Sequence, residues 1–225
     1  MSALHIVVLG AEGSGKTTLV RQLRSIAVEG SIICRPSSLV TAPTTGQEID
    51  VLPMGEAPLR GPSTSLSKKD EALLAAEKGK TLVTLHEIGG RMAAAWPRFI
   101  ASRLSQRHTS GVLPHSNGAC GRDSALIFVI DGAAPWQLPF AVVELGNLLV
   151  GDTGAWSHVL IAINKRYLPS SAPLALFEEY LCFLPMLHRC GSTCVSILEI
   201  DTWNGLGLGD VWEWVRTCCA ANPVA

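Results

Sequence analysis

No apolar stretch in this chain is long enough to cross a bilayer: the longest clear runs, Ala125 to Ile130 and Val159 to Ile163, are the length of single strands. Charge of one sign is equally scarce. Eighteen Lys and Arg against nineteen Asp and Glu give a net charge of -1, and no basic block stands ready to follow a nucleic-acid backbone or an anionic membrane. The seven cysteines are odd in number and scattered, with no signal peptide ahead of them, so they read as reduced thiols of an intracellular protein. Cys182, His188, Cys190 and Cys194 match no strong zinc spacing. Cys218 and Cys219 are followed by Ala220 to Ala225 and form no prenylation box, and Ser2 stands where an N-myristoyl acceptor must be glycine. These absences set the expectation of a monomeric cytoplasmic protein, with no nucleic-acid partner, that reaches a membrane only through another protein. At 225 residues it has room for one well-buried domain.

What is present begins at residue 10. Gly10, Ala11, Glu12, Gly13, Ser14, Gly15, Lys16 and Thr17 have the spacing G-x-x-x-x-G-K-T of a phosphate-binding loop. An apolar run, His5 to Leu9, precedes it, and a helical pattern follows with Leu19, Val20, Leu23, Ile26 and Ala27 on one face. Glycines at these places let the backbone turn consecutive NH groups toward an anion, and the next helix aims its positive dipole end at the same point. In such a loop Lys16 reaches the β- and γ-phosphates and the Thr17 hydroxyl ligates Mg²⁺, with Thr18 inside the helix.

The remaining chain alternates strand and helix patterns. A short strand is expected over about Gln47 to Leu52 and others over Thr81 to Leu85, Ala125 to Ile130 with Asp131 at its end, Val159 to Ile163 and Cys194 to Ile200. Helical faces are marked by Trp96, Phe99, Ile100 and Leu104, by Leu138, Val142, Leu145 and Leu149, by a mixed pattern over Leu174 to Leu187, and by Leu208, Val211, Trp212 and Val215. Two stretches read as surface insertions, about 54–80, with a possible short helix over Lys68 to Lys78, and about 106–122. Strands apolar throughout and separated by helices describe a three-layer α/β domain with a mostly parallel sheet, covering residues 1–225 as one unit. Ligands of such sheets sit at the carboxyl ends of the strands, which is where the special residues fall. Trp203, Trp212 and Trp214 read mostly as core, with Trp214, off the face of Leu208 and Val211, a weak interface candidate, and Asp201 reads as a solvent-facing strand end.

The set Gly10 to Thr18, Pro43-Thr44-Thr45-Gly46, Glu87-Ile88-Gly89-Gly90, and Asn164-Lys165 with Leu168-Pro169 resembles the small GTPases, and within them the Arf and Arf-like branch, over most of the chain apart from the insertions. Glu12 resembles the acidic residue that branch carries inside its phosphate loop. The resemblance implies GTP or GDP with Mg²⁺ as ligands. It also implies that Thr44 acts as the first-switch residue, that an NH of Gly89 or Gly90 meets the γ-phosphate, and that Glu87 holds the metal through water. Phosphates would be held by Gly10, Glu12, Gly13, Ser14, Gly15, Lys16, Thr17, Thr18, Thr44, Gly89 and Gly90. The base would fall to Asn164, Lys165, Tyr167, Asp201 and Thr202, and an effector protein to the switch segments.

The departures carry as much meaning. Arg91 stands where the family places the glutamine that positions attacking water, and a guanidinium has donors but no acceptor. Hydrolysis is therefore expected to be very slow or absent, with Arg91 itself reading as a solvated loop residue. Tyr167 replaces the aspartate of the Asn-Lys-x-Asp pattern, removing an acceptor worth about 1.5 to 3 kcal/mol per hydrogen bond. Asp201 is a possible substitute. At the positions of the branch's aromatic effector-sensing trio stand Gln47, His86 and Phe99. The expectation is an Arf-like switch in intracellular membrane or ciliary traffic. The alternatives are a scaffold that has lost guanine selectivity, or a P-loop NTPase or kinase of other base specificity. A kinase needs a lid carrying several arginines, and 54–80 contains only Arg60.

Overall fold

The computed structural model describes residues 4–34, 37, 39–54, 81–105, 124–150, 156–181 and 193–221. Both expected insertions lie outside the described residues, except that Met54 closes a strand; so do the possible Lys68 to Lys78 helix and Cys182, His188 and Cys190.

In chain order the elements are β1 (Leu4–Gly10), α1 (Lys16–Glu29), β2 (Gln47–Met54), β3 (Thr81–Ile88), a 3-10 turn (Gly90–Ala95), α2 (Trp96–Ser105), β4 (Ser124–Asp131), a second 3-10 turn (Pro135–Gln137), α3 (Leu138–Val150), β5 (His158–Asn164), α4 (Leu174–Leu181), β6 (Cys194–Glu199) and α5 (Leu208–Ala220). The sheet order is β2-β3-β1-β4-β5-β6. Every neighbouring pair is parallel except β2 with β3.

Period-two alternation sorts the core into two layers. Leu4, Ile6 and Val8 of β1, with Ala125, Ile127 and Val129 of β4, pack under α1 and α5. Val7 and Leu9, with Leu126, Phe128 and Ile130, pack under α2, α3 and α4. Since β4 is buried along its whole length, it shows no alternation in polarity, which is the pattern expected of a strand covered on both faces.

Several boundaries differ from expectation. β3 runs to Ile88 rather than Leu85, because His86 and Glu87 are paired in the ladder with β1 and β2. The fully buried face of α3 is Leu138, Ala141, Leu145 and Leu148, with Val142 and Leu149 only partly covered. Trp214 is buried in the α1 and α5 layer, which favours its core reading over the weaker interface one: α5 meets both the sheet and α1, so its apolar stripe widens to take in Leu208, Val211, Trp212, Trp214, Val215 and Cys218. Trp203 is the reverse case, 45% exposed in the turn after Asp201. No helix among the described residues is long and apolar enough to cross a membrane.

Candidate functional site: a cleft at the carboxyl ends of the strands

A cleft of about 680 Å³ opens where β1, β3, β5 and β6 end, within the range of small-molecule sites. Its lining includes Glu12, Gly13, Gly15, Lys16, Thr17 and Thr18 from the phosphate loop, Leu39 to Thr44, Glu87, Gly90, Asn164, Lys165, Leu168 and Asp201 to Asn204.

The loop's shape depends on Gly15. It has φ +95°, and an added Cβ there would come 2.1 Å from the Asn164 Nδ2, so neither backbone nor space admits a side chain. Gly15 also precedes α1 without a capping side chain, leaving the first-turn NH groups of that helix directed into the cleft. Lys16 is 5% exposed and its Nζ donates to the carbonyls of Gly10 at 2.9 Å and Ala11 at 2.8 Å. Burial lowers its pKa to about 8, against the opposing pull of the Glu87 and Glu12 carboxylates. The Ser14 hydroxyl is buried with no partner among the described residues.

Three segments distant in sequence meet at the mouth of this loop. The Thr17 hydroxyl donates to Glu87 Oε1 at 2.6 Å, the Thr44 hydroxyl donates to the same oxygen at 3.1 Å, and the two hydroxyl oxygens lie 3.2 Å apart. The second carboxylate oxygen, Glu87 Oε2, is buried without a partner among the described residues. Burial raises the Glu87 pKa, partly offset by the Thr17 and Thr44 hydroxyls. The segments also touch through backbone: the Gly89 NH donates to the Gly46 carbonyl at 3.0 Å, and a Cβ on Gly89 would come 2.2 Å from the Thr44 carbonyl oxygen.

Arg91 is a solvated arginine, as expected, with 73% of its side chain exposed, and it carries an ion pair. Its Nε lies 2.6 Å from Glu12 Oε2, and this contact raises the guanidinium pKa further. Glu12 is therefore paired across the cleft's edge with Arg91. Gly90, next to Arg91, packs so closely that a Cβ would come 2.3 Å from the Glu12 backbone nitrogen.

At the other end of the cleft, Asn164 joins elements. Its Nδ2 donates to the Ser14 carbonyl at 2.8 Å and to Thr202 Oγ1 at 3.1 Å, while its Oδ1 accepts the Thr202 NH at 3.0 Å. Lys165, at φ +61°, donates to the Gly13 carbonyl at 2.9 Å and to Asp131 Oδ2 at 2.5 Å. Asp131 was legible in sequence only as a strand end; no local pattern announces a partner 34 residues away. Asp201 is 2% exposed, not solvent-facing. Its carboxylate accepts the NH groups of Trp203 at 2.9 Å and Asn204 at 3.2 Å and the Asn204 amide at 2.6 Å, the pattern of an Asx turn. Tyr167 is 56% exposed and does not line the cleft, where Leu168 and Trp203 stand instead.

Of the trio positions, Gln47 and His86 are joined by a 3.0 Å side-chain hydrogen bond, and His86 also stacks on His5. Phe99 packs partly buried against the α2 layer.

A six-stranded, mostly parallel sheet with a phosphate loop between its central strand and α1 is the fold of the small GTPases. The chain has that fold, and in sequence it is similar to an Arf-like member of that class. It is 26% identical to human ADP-ribosylation factor-like protein 16 over 216 residues, 96% of this chain and 86% of that protein. Among solved structures it is similar to the signal recognition particle receptor SRb-GTP/SRX complex of Chaetomium thermophilum (TM-score 0.60, 17% identity, 96% of this chain and 99% of that one). It is also similar to the Arl6 BBS3 small GTPase of Trypanosoma brucei with bound GppNp (TM-score 0.54, 17% identity, 97% of both chains). It spans about half, 49%, of the GDP-bound Roco2 RocCORdC chain of Methanosarcina barkeri (TM-score 0.53, 14% identity, 96% of this chain). No protein-family model matches the chain.

Proposed function

We propose that this chain is a nucleotide-dependent switch that binds GTP or GDP with Mg²⁺ and hydrolyses GTP very slowly. The observation that carries the reading is the convergence of Thr17, Thr44 and Glu87 on one point at the mouth of the phosphate loop. These three come from the loop, the first switch segment and β3, so a ligand held there is felt by all three at once.

The donor set fits a hard cation. Two hydroxyls and a carboxylate are oxygen ligands suited to Mg²⁺, and Glu87 Oε2 is buried with its capacity unspent. Thr17 and Thr44 would hold the ion and Glu87 would act through water; when bound, the ion neutralises charge on the β- and γ-phosphates. Lys16 supplies a mobile cation to the same oxygens, exchanging its two carbonyl acceptors for them. Glycines 89 and 90 bring the second switch segment against this end of the cleft. Slow hydrolysis follows from Arg91, which has no acceptor for a water proton and is engaged with Glu12. An effector protein would read the switch segments. The Arf-like resemblance supports intracellular membrane or ciliary traffic as the setting, with recruitment through a partner.

Limited proteolysis of residues 35–95 tests the reading. The expected result is a digestion pattern that differs between a non-hydrolysable GTP analogue and GDP, with the difference lost in Thr44→Ala. Identical patterns for the two nucleotides overturn the switch.

A second reading, a domain with weak guanine selectivity, is favoured by the base end. Asp201 spends its carboxylate on its own turn and Tyr167 stands outside the cleft lining. Neither offers a carboxylate to guanine N1–H and N2–H.

A further inference from the structure

The pair Glu12 and Arg91 has no part in the switch as argued so far, yet it is the one ion pair described between the phosphate loop and the second switch segment. Two independent features fix it in place. The pair is 2.6 Å long although 79 residues separate its members, and the neighbouring Gly90 backbone lies flush on Ala11 and Glu12 with no room for a Cβ. Glu12 lines the cleft while Arg91 does not, so the guanidinium approaches the carboxylate from outside the site.

Charge explains why such a pair is needed. A carboxylate inside a phosphate loop repels the ligand the loop is shaped to hold, and the repulsion grows with each phosphate. At this end of the cleft the Lys16 ammonium lies in the field of two carboxylates, Glu12 and Glu87, while the Lys165 ammonium, which also reaches the Gly13 carbonyl, is engaged with Asp131. Arg91 supplies the counter-charge that Glu12 meets directly.

Resting on the nucleotide-binding reading above, we infer that Arg91 is the counter-charge that allows a phosphate loop carrying Glu12 to accept a polyphosphate, and that the Glu12–Arg91 pair thereby sets the preference between tri- and diphosphate. Arg91 is a positioning residue: it acts through Glu12 and need not touch the ligand. The glutamine that restores the family's catalytic pattern at position 91 leaves Glu12 uncompensated, so the apparent repair weakens binding.

The test is a double-substitution cycle on the full chain, read by calorimetric titration with the GTP analogue GppNp and with GDP in Mg²⁺ at low and high salt. Arg91→Gln should lower GppNp affinity about five- to tenfold and GDP affinity about two- to threefold at low salt, with both losses shrinking at high salt. Glu12→Gln in the Arg91→Gln background should return both affinities to within about twofold of the unsubstituted chain. Unchanged affinity in Arg91→Gln overturns the inference while leaving the nucleotide-binding reading intact. So does an equal loss for both nucleotides that Glu12→Gln fails to relieve, since that marks a contact that only holds the segment in place. Failure of the unsubstituted chain to bind either nucleotide overturns the reading beneath and the inference with it.

Discussion

At the phosphate end of the cleft, oxygens of Thr17, Thr44 and Glu87 from three segments face one another. At the base end, the Asp201 carboxylate turns back onto its own loop. One end leaves polar capacity open, in Glu87 Oε2 and the Ser14 hydroxyl; the other closes what it has. Under the proposed function the difference says where affinity would reside: the phosphates would anchor the ligand and the base would contribute shape more than hydrogen bonding. Asn164 holds the two ends in register, since one buried amide bonds both the phosphate loop and Thr202.

Breaking that register should have the largest effect. Gly15→Ala places a methyl group against the Asn164 amide at a backbone angle alanine resists, so a loss of about 2–4 kcal/mol in unfolding free energy is expected. Chemical denaturation reads it directly. Gly13→Ala is the control, because an added Cβ there meets nothing within 4 Å; it retains only the backbone cost and should lose less.

The second effect sharpens the phosphate end. Lys16 has its pKa lowered to about 8 by burial, so in the free chain its charge is present below that pH and lost as pH rises through it. Nucleotide affinity should be flat up to about pH 7 and fall about tenfold by about pH 9. Stability runs the other way. The unfolded lysine keeps its proton up to its ordinary value near 10.5, so the unfolded state binds more protons between about pH 8 and 10.5. This group's contribution to stability therefore rises over that window. Titrations at several pH values alongside denaturation of the ligand-free chain separate the two.

The smallest effect probes the base end. Asp201→Asn keeps an acceptor for the Trp203 and Asn204 NH groups but weakens all three contacts. A stability loss of about 1 kcal/mol is expected, with the ratio of GTP to ATP affinity unchanged within about twofold. A shift in that ratio identifies Asp201 as a base acceptor and removes the contrast between the two ends.

Most of the fold was legible because β4 and β5 are apolar along nearly their whole length and most special residues fall at a strand's carboxyl end. The phosphate loop was legible because its glycine spacing is dictated by local backbone geometry. What escaped was settled by residues distant in the chain. Arg91 is solvated as expected, but its partner Glu12, 79 positions away, left no local signal. Asp131 read as a mere strand end because Lys165 joins it across adjacent parallel strands. Asp201 read as exposed because an Asx turn depends on the two residues that follow it rather than on polarity. Trp203 read as core, yet it stands 45% exposed in the turn after Asp201.

The central claim, that the phosphate end carries the binding, is tested most directly by titration calorimetry of the full chain with GTP and ATP in Mg²⁺, with Lys16→Ala alongside. The account predicts binding of both nucleotides, a preference for GTP of no more than about tenfold for want of a carboxylate facing the base, and loss of both in Lys16→Ala. A preference for GTP of about a thousandfold or more, or binding that survives Lys16→Ala, would contradict it.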